Sequence, residues 1–529
     1  MKVVLISTYE LGRQPFGLAS PSAWLQRAGA EVVCLDLSVE ELQREALRLA
    51  DLIAFYLPMH TATRKAVQIL EQVKRINPAA PVCFYGLYAP MNVEFLRSLG
   101  ADAVLGGEFE EGLVRWMQHW AEVTVQRSQE KASLLSGDLA NSESFLAARR
   151  AAPTFASGAA ASISLARQQF IPPDRASLPP LKRYARLNLP NGQQRIVGYT
   201  EASRGCKHLC RHCPVVPVYQ GHFRIVQPGI VLADIATQVE MGAEHITFGD
   251  PDFFNGVGHT IPLVQSVHRN FPKLSYDVTI KIEHLRQHSR HLETLRDTGC
   301  LFVTSAVESI NDRVLQLLEK GHTRHDFLEA LQRLRAVGLP LSPTFIPFTP
   351  WATRQTYGEL LALLEDEDLV EHVSPIQLAI RLLIPAQSRL LELEEVRRLA
   401  GSFNPESLSY KWTHADPWMD ELQSKIVRFV AAAESRKLPR QTIFDGIRDI
   451  AGQPGSDGLS ARSRLPQTAA AVVAAPKGMC VSGLDPLQPA ASTPSPPPPE
   501  TCSPRAAIPH LTEPWYCCAE PVEEPAALI

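Results

Sequence analysis

Two runs of strand-then-helix patterning, one over residues 1–123 and one from residue 196 onward, constrain this chain more than any other feature. In the first run, short apolar stretches recur as KVVLIS (2–7), EVVCLD (31–36), DLIAFYL (51–57), PVCFYG (81–86) and ADAVLGG (101–107). Amphipathic stretches such as TRKAVQILEQVKRI (63–76) and EEGLVRWMQHWAEV (110–123) lie between and after them. Strands buried on both faces and linked by helices build a doubly wound, flavodoxin-like parallel sheet. Ligands of such a sheet sit beyond the carboxyl ends of the strands. Here those loops are expected near Ser7–Thr8, Pro58–Thr61, Gly86–Pro90 and Gly106–Phe109.

The second run offers six candidate strands: IVGYTEA (196–202), HITFGD (245–250), LSYDVTIK (274–281), LFVTSAVE (301–308), LPLSPTFIPF (339–348) and PIQLAIRLL (375–383). Helical patterns lie between them, for example GIVLADIATQVEMGA (229–243) and HDFLEALQRLRAVG (325–338). Six such units predict a partial (β/α)6 barrel, whose chemistry gathers at the carboxyl ends of its strands. The expected organisation is therefore a Rossmann-like domain (1–123), an Ala-, Ser-, Arg- and Pro-rich linker (124–195), a partial barrel (196–400), a helical region (401–451) and a Pro-rich tail (452–529). QPAASTPSPPPPETCSP (488–504) is extended and poorly packing in composition.

Charge narrows the function classes. The 529 residues carry a formal charge of -4, which leaves no basic footprint for nucleic acid. No run approaches the roughly 20 apolar residues of a membrane span, and MKVVLISTYELG turns polar too early for a signal peptide. Ten cysteines without an export signal point to a reducing, cytoplasmic setting, where thiols bind metal or do chemistry.

Three of those cysteines, Cys206, Cys210 and Cys213, stand in C-x3-C-x2-C spacing. Two readings are open on spacing alone. One is a [4Fe–4S] cluster with three cysteine ligands and an open iron. The other is a structural zinc site completed by His208 or His212.

A triad of this spacing after the first strand of a partial barrel resembles the radical S-adenosylmethionine (SAM) superfamily. The resemblance implies a [4Fe–4S] cluster on the three cysteines, with SAM chelating its open iron. It also implies an electron donor such as flavodoxin or ferredoxin. In TFGDPDFFN (247–255) it marks Gly249, Asp250 and Asp252 as candidate SAM contacts; in AVESIND (306–312), Glu308 and Ser309; in TIKIEHL (279–285), Lys281 and Glu283, with His284 beside them. His212 stands where the family usually has an aromatic residue. The structural alternatives are that Asp250 or Asp252 caps the next helix, and that Glu283 and His284 form a solvated pair.

A Rossmann-like domain ahead of such a barrel resembles the cobalamin-binding subclass, in which a corrinoid lies between the two domains. GGEFEEG (106–112) resembles the Gly–Glu stretch of those domains, and Gly86, Gly106 and Gly107 become candidate contacts. No D-x-H-x-x-G follows the first strand, where the sequence is STYELGRQPFG, so a histidine lower ligand from that loop is absent. The alternative is a purely structural flavodoxin-like domain.

TEPWYCCAEP (512–521), with RHCPVVPVYQGHFR (211–224), KIEHL (281–285) and PFTPWAT (347–353), resembles radical SAM proteins that end in a CCAEP or Cys-selenocysteine-Ala-Glu-Pro motif. That resemblance implies a reactive thiol at Cys518 with Cys517 as its partner. The expected function is reductive SAM cleavage leading to cobalamin-dependent methylation or radical rearrangement of a small-molecule or peptide substrate. The alternatives are a cobalamin-free radical SAM oxidoreductase or peptide-modifying enzyme, and a non-catalytic metal-binding scaffold or redox sensor.

Overall fold

The computed structural model describes residues 1–136, 161–452 and 507–513. Strands β1 (Lys2–Ser7), β2 (Glu31–Asp36), β3 (Leu52–Tyr56), β4 (Val82–Tyr85), β5 (Ala103–Gly107) and β6 (Ser162–Ser164) form one sheet in the order β2-β1-β3-β4-β5-β6. Its strand pairs are parallel, with Val3 opposite Val32 on one side and Leu52 on the other. The apolar runs are continuous because both faces are covered. Val4, Ile6, Ile53, Phe55 and Phe84 pack to one side, and Val3, Leu5, Leu52, Ala54 and Tyr85 to the other. The five apolar runs read from the sequence are therefore β1 to β5. β6 comes from the stretch expected to be linker.

The second sheet comprises β7 (Arg186–Asn188), β8 (Gln194–Thr200), β11 (His245–Phe248), β12 (Ser275–Thr279), β13 (Cys300–Glu308), β14 (Leu341–Phe345) and β17 (His510–Leu511). Its order is β14-β13-β12-β11-β8-β7-β17. The five strands from β8 to β14 are parallel and curl into a half-barrel, while β7 and β17 add antiparallel at the far edge. A small ribbon, β9 (Ser203–Gly205) with β10 (Phe223–Ile225), brackets the cysteine triad.

The sixth expected strand is reduced. Residues Pro375–Leu378 form a 3-10 helix, and one parallel bridge joins Phe348 to Arg381. Side chains take over part of the outer edge of β14. The Phe345 N–H donates to Gln377 Oε1 (3.2 Å), and His372 Nδ1 lies 2.8 Å from the Leu341 carbonyl. The helical region likewise opens with a hairpin, β15 (Ala400–Asn404) and β16 (Ser409–Trp412), before helices Pro417–Ser435 and Arg440–Gly452. Those helices bury Ile426, Val430, Phe444 and Ile447 against the main barrel core.

Arg175 shows how tightly the linker is built in. It is 1% exposed, pairs through Nε with Asp234 Oδ1 (2.8 Å), and donates to Gln14 Oε1 (3.1 Å) and the Tyr199 carbonyl (2.7 Å). Three parts of the chain meet on one guanidinium, whose planar fork of donors suits that task. Removing one partner of a buried ion pair strands the other charge. Arg175→Met is accordingly expected to cost about 3–5 kcal/mol, read as a fall in the denaturant midpoint; no change in midpoint refutes this role.

Candidate active site

A cavity opens at the carboxyl ends of the barrel strands and faces the first sheet. Cys206, Cys210 and Cys213 line it, as do Pro58, Met59, Leu87 and Tyr88 from the loops after β3 and β4. Cys206 and Cys210 are buried, and Cys213 is half-buried. Burial, then the charge of Asp252, pushes the free Cys206 thiol up to about 11. A thiol of that kind ionises when a metal cation compensates its charge. A four-iron cluster and a single zinc ion both draw on thiolates held in this way.

Glu308 closes β13 and turns into the cavity. Its φ is +68°, and the β13–β14 register shifts between Ala306 and Glu308. Its Oε1 lies 3.0 Å from His212 Nε2 and 3.3 Å from Lys320 Nζ. Burial alone would raise this carboxyl, but Lys320 and His212 outweigh it and hold the group down to about 2. Glu308 is thus a carboxylate at neutral pH, and His212 and Lys320 are tied to it beside the triad. Lys320 carried no sequence signal; it lies in a turn after a short helix and is placed by the fold.

The other sequence candidates divide. Gly249, Asp250 and Lys281 line the cavity, whereas Asp252, Glu283 and Ser309 are not among its lining residues. Gly249 packs where a Cβ would strike the Tyr199 ring. Asp250 accepts the Ala202 N–H (2.9 Å) and the Ser203 hydroxyl (2.5 Å), so it braces the strand that leads into the triad. Burial raises Asp250 to about 7 despite those donors. Asp252 caps the 3-10 turn Phe253–Gly256 by accepting the Phe254 N–H, which realises the capping alternative for this residue. The Ser309 hydroxyl accepts the Asn311 N–H in a turn (3.1 Å).

The glycines of the first sheet point to its own packing. A Cβ on Gly86 would meet the Leu57 carbonyl oxygen at 2.9 Å; on Gly106 it would meet Pro90, and on Gly107 the Ser164 carbonyl of β6. None of the three lines the cavity. The carboxylates of the same motif do face the barrel. Glu108 and Glu110 pair with Arg204, two residues before Cys206, at 3.2 and 2.7 Å, and Glu201 pairs with it at 2.6 Å. Tyr219 adds a donor to Glu108 (3.1 Å). This buried clamp joins the two sheets next to the triad. The sequence offered Arg204 only as a neighbour of the motif.

The tail also reaches the cavity. β17 pairs with β7, with His510 opposite Asn188 and Leu511 opposite Leu187, and residues 508–511 and Glu513 line the cavity. Cys517 and Cys518 lie outside the described residues.

Comparison with known proteins fits this geometry. Residues 200–364 match the radical SAM superfamily model. The chain carries a radical SAM domain over this stretch, the catalytic domain of a class of enzymes. The described fold is also similar to the cobalamin-dependent SAM radical enzyme OxsB, with a TM-score of 0.59, 13% identity, and coverage of 85% of this chain and 71% of that one. It is similar too to the radical SAM methyltransferase TsrM of Kitasatospora setae, with a TM-score of 0.57, 14% identity, and coverage of 85% of this chain and 99% of that one. Those structures contain cobalamin; at these identities the likeness is one of fold. In sequence, the tRNA-2-methylthio-N(6)-dimethylallyladenosine synthase of Desulfosudis oleivorans is 27% identical over 179 residues, 32% of this chain and 38% of its own length. The same enzyme of Methylococcus capsulatus is 27% identical over 210 residues, 36% of this chain and 43% of its own. The chain spans about two fifths of the length of these curated relatives. No helix among the described residues is long and apolar enough to cross a membrane.

Proposed function

We propose that this protein cleaves SAM reductively on a [4Fe–4S] cluster held by Cys206, Cys210 and Cys213, and uses the resulting radical on a small-molecule or peptide substrate. The observation that carries this reading is the triad's place in a cavity at the strand ends, next to the Glu308–His212–Lys320 group. The cluster supplies, when bound, the electron that breaks the sulfonium bond of SAM. The chain's own residues bind and orient. Glu308, ionised, accepts hydrogen bonds from the ribose or amino group of SAM; His212 offers a flat ring beside Cys213; Gly249 and Lys281 offer a backbone surface and a cation. Asp250 holds the triad strand in place through Ala202 and Ser203. The reductant is a flavodoxin- or ferredoxin-type donor, which agrees with a cytoplasmic setting.

Pro58, Met59, Leu87 and Tyr88 on one side and the triad on the other would hold cobalamin between the two sheets. It would supply methyl-transfer chemistry, with methylation or rearrangement of the substrate as the overall reaction. The cobalamin-free reading is favoured by one observation: Gly86, Gly106 and Gly107 are filled by the chain's own atoms. The test is anaerobic purification with iron, sulfide and corrinoid analysis, followed by incubation with SAM and dithionite. The expected result is cluster iron, 5′-deoxyadenosine and bound corrinoid. Stoichiometric zinc without 5′-deoxyadenosine refutes the enzyme reading, and cluster without corrinoid selects the cobalamin-free one.

Cys517 and Cys518 are proposed to act as a thiol pair at this cavity. Support comes from the docked segment before them: Glu513 lines the cavity, and four or five residues of chain reach at most about 14–18 Å. Cys518→Ser is expected to leave SAM cleavage without substrate unchanged and to lower product formation. Equal product yield from the two proteins would remove the pair from the reaction.

A further inference from the structure

We propose that His208, Asp252 and His284 form a second, mononuclear site for a divalent first-row transition-metal ion, Fe(II) or Zn(II) in class, beside the cysteine triad. Asp252 Oδ2 lies 2.6 Å from His284 Nδ1 and 3.4 Å from His208 Nε2. Neither contact has hydrogen-bond geometry, and all three atoms are buried without a hydrogen-bond partner. Asp252 is wholly buried and His284 is 7% exposed. A buried polar atom left without a partner is costly, and three together at one point are better explained by a shared cation. Ligand atoms bound to one ion at about 2.0–2.2 Å lie roughly 3–3.5 Å apart; the Asp252–His208 contact has that spacing and the Asp252–His284 contact is shorter.

The surroundings orient the donors. Asp252 Oδ1 accepts the N–H groups of Phe254 (3.2 Å) and Lys281 (3.4 Å), which leaves Oδ2 for the imidazoles. The second nitrogen of His208, Nδ1, lies 3.6 Å from Glu283 Oε2. That carboxylate faces the ring nitrogen away from Asp252, at ion-pair rather than hydrogen-bond distance. Two imidazoles and one carboxylate form the donor set of open Zn(II) and non-haem Fe(II) centres. Cys206 Sγ lies within 4.8 Å of the His208 and Asp252 donor atoms, so the ion would sit next to the triad. His208 lines the cavity, which gives the ion its path in and faces its open positions toward the substrate space.

The test uses the full chain carrying Cys210→Ala and Cys213→Ala, which cannot hold a three-cysteine cluster but keeps Cys206. It is stripped with chelator and titrated anaerobically with Co2+, whose visible bands report binding. One Co2+ per chain is expected, displaced by Zn2+ and weakened about tenfold or more by adding His284→Ala or Asp252→Asn. His288→Ala, whose ring lies 5.5 Å from that of His284, is expected to bind like the parent. Absent Co2+ bands, or equal binding in the His284→Ala protein, overturns the proposal. Should Asp252→Asn misfold through loss of its cap, His284→Ala decides alone. Should both misfold, the metal released from the unaltered protein decides, and no stoichiometric non-cluster metal overturns the site. None of these readouts uses SAM cleavage, so the site stands or falls apart from the proposed reaction.

Discussion

Cys213→Ala is expected to bring cluster iron to background and 5′-deoxyadenosine below detection, while the protein itself stays folded. Three thiolates hold three corners of the proposed cluster, and two cannot fix it against loss. Cys213 is the least buried of the three, and the change removes one sulfur from a cavity wall. Its cost to stability is expected within about 1 kcal/mol, as for substitutions outside a packed core. The check is paired: iron analysis and SAM cleavage on one side, thermal melting of cluster-free protein on the other. Full cleavage by Cys213→Ala would remove the triad from the mechanism. Loss of cleavage together with a collapsed melting curve would assign the cysteine a structural task instead.

Arg204→Met is expected to be the most destabilising single change near the site, by about 3–5 kcal/mol, because it leaves buried carboxylates without their cation. Arg204 is 6% exposed and Glu108 is wholly buried. The deficit should depend on pH in a stated direction. Burial raises Glu108 to about 7, with Arg204 only partly opposing it. The folded state therefore holds a proton that the unfolded state gives up near its ordinary value of 4.5. That contribution is full below the unfolded value and is lost as pH rises through about 7. Without Arg204 the upward shift grows, so the gap in melting temperature between the two proteins should widen from about pH 5.5 to about pH 8. A gap that stays constant or narrows would mean that the clamp carries no net charge coupling. Arg204→Lys should recover part of the loss, since an ammonium keeps the charge but not the fork that serves three carboxylates.

The first sheet was legible because burial on both faces writes itself as unbroken apolar runs, and β1 to β5 fall within them. β6 and β7 were not, since strands of three residues, one at a sheet edge and one between β8 and the two-residue β17, need no such run; Ser162 and Ile163 of β6 are exposed. The run at 375–383 misled for a different reason. Ile380 and Leu382 are buried against Val396 and Trp412 rather than in a sheet, so the segment is apolar without being a full strand. At the site, the cysteine spacing was readable because ligation imposes it locally. Lys320 and Arg204 were not, because each matters through a partner that only the fold brings to it: Glu308 across the short helix before Lys320, and the distant 108–110 pair for Arg204. Gly106 and Gly107 show the converse. A glycine records a close approach, and here the approaching atoms belong to Pro90 and Ser164.

The pairing of β17 with β7 has a consequence for the order in which the molecule forms. Asn188 and His510 are 322 residues apart in sequence, so their contact is among the most non-local in the fold and closes after the sheet that receives it. Two residues of pairing and the buried side chain of Ile508 are small beside the main core. An edge attachment of that size opens with a free energy well below that of global unfolding. The last segment to arrive is therefore the first to leave, and undocking it costs the barrel none of its own strands. In hydrogen exchange, the Thr512 amide, bonded to the Arg186 carbonyl, should lose protection long before the amides of β11 and β12.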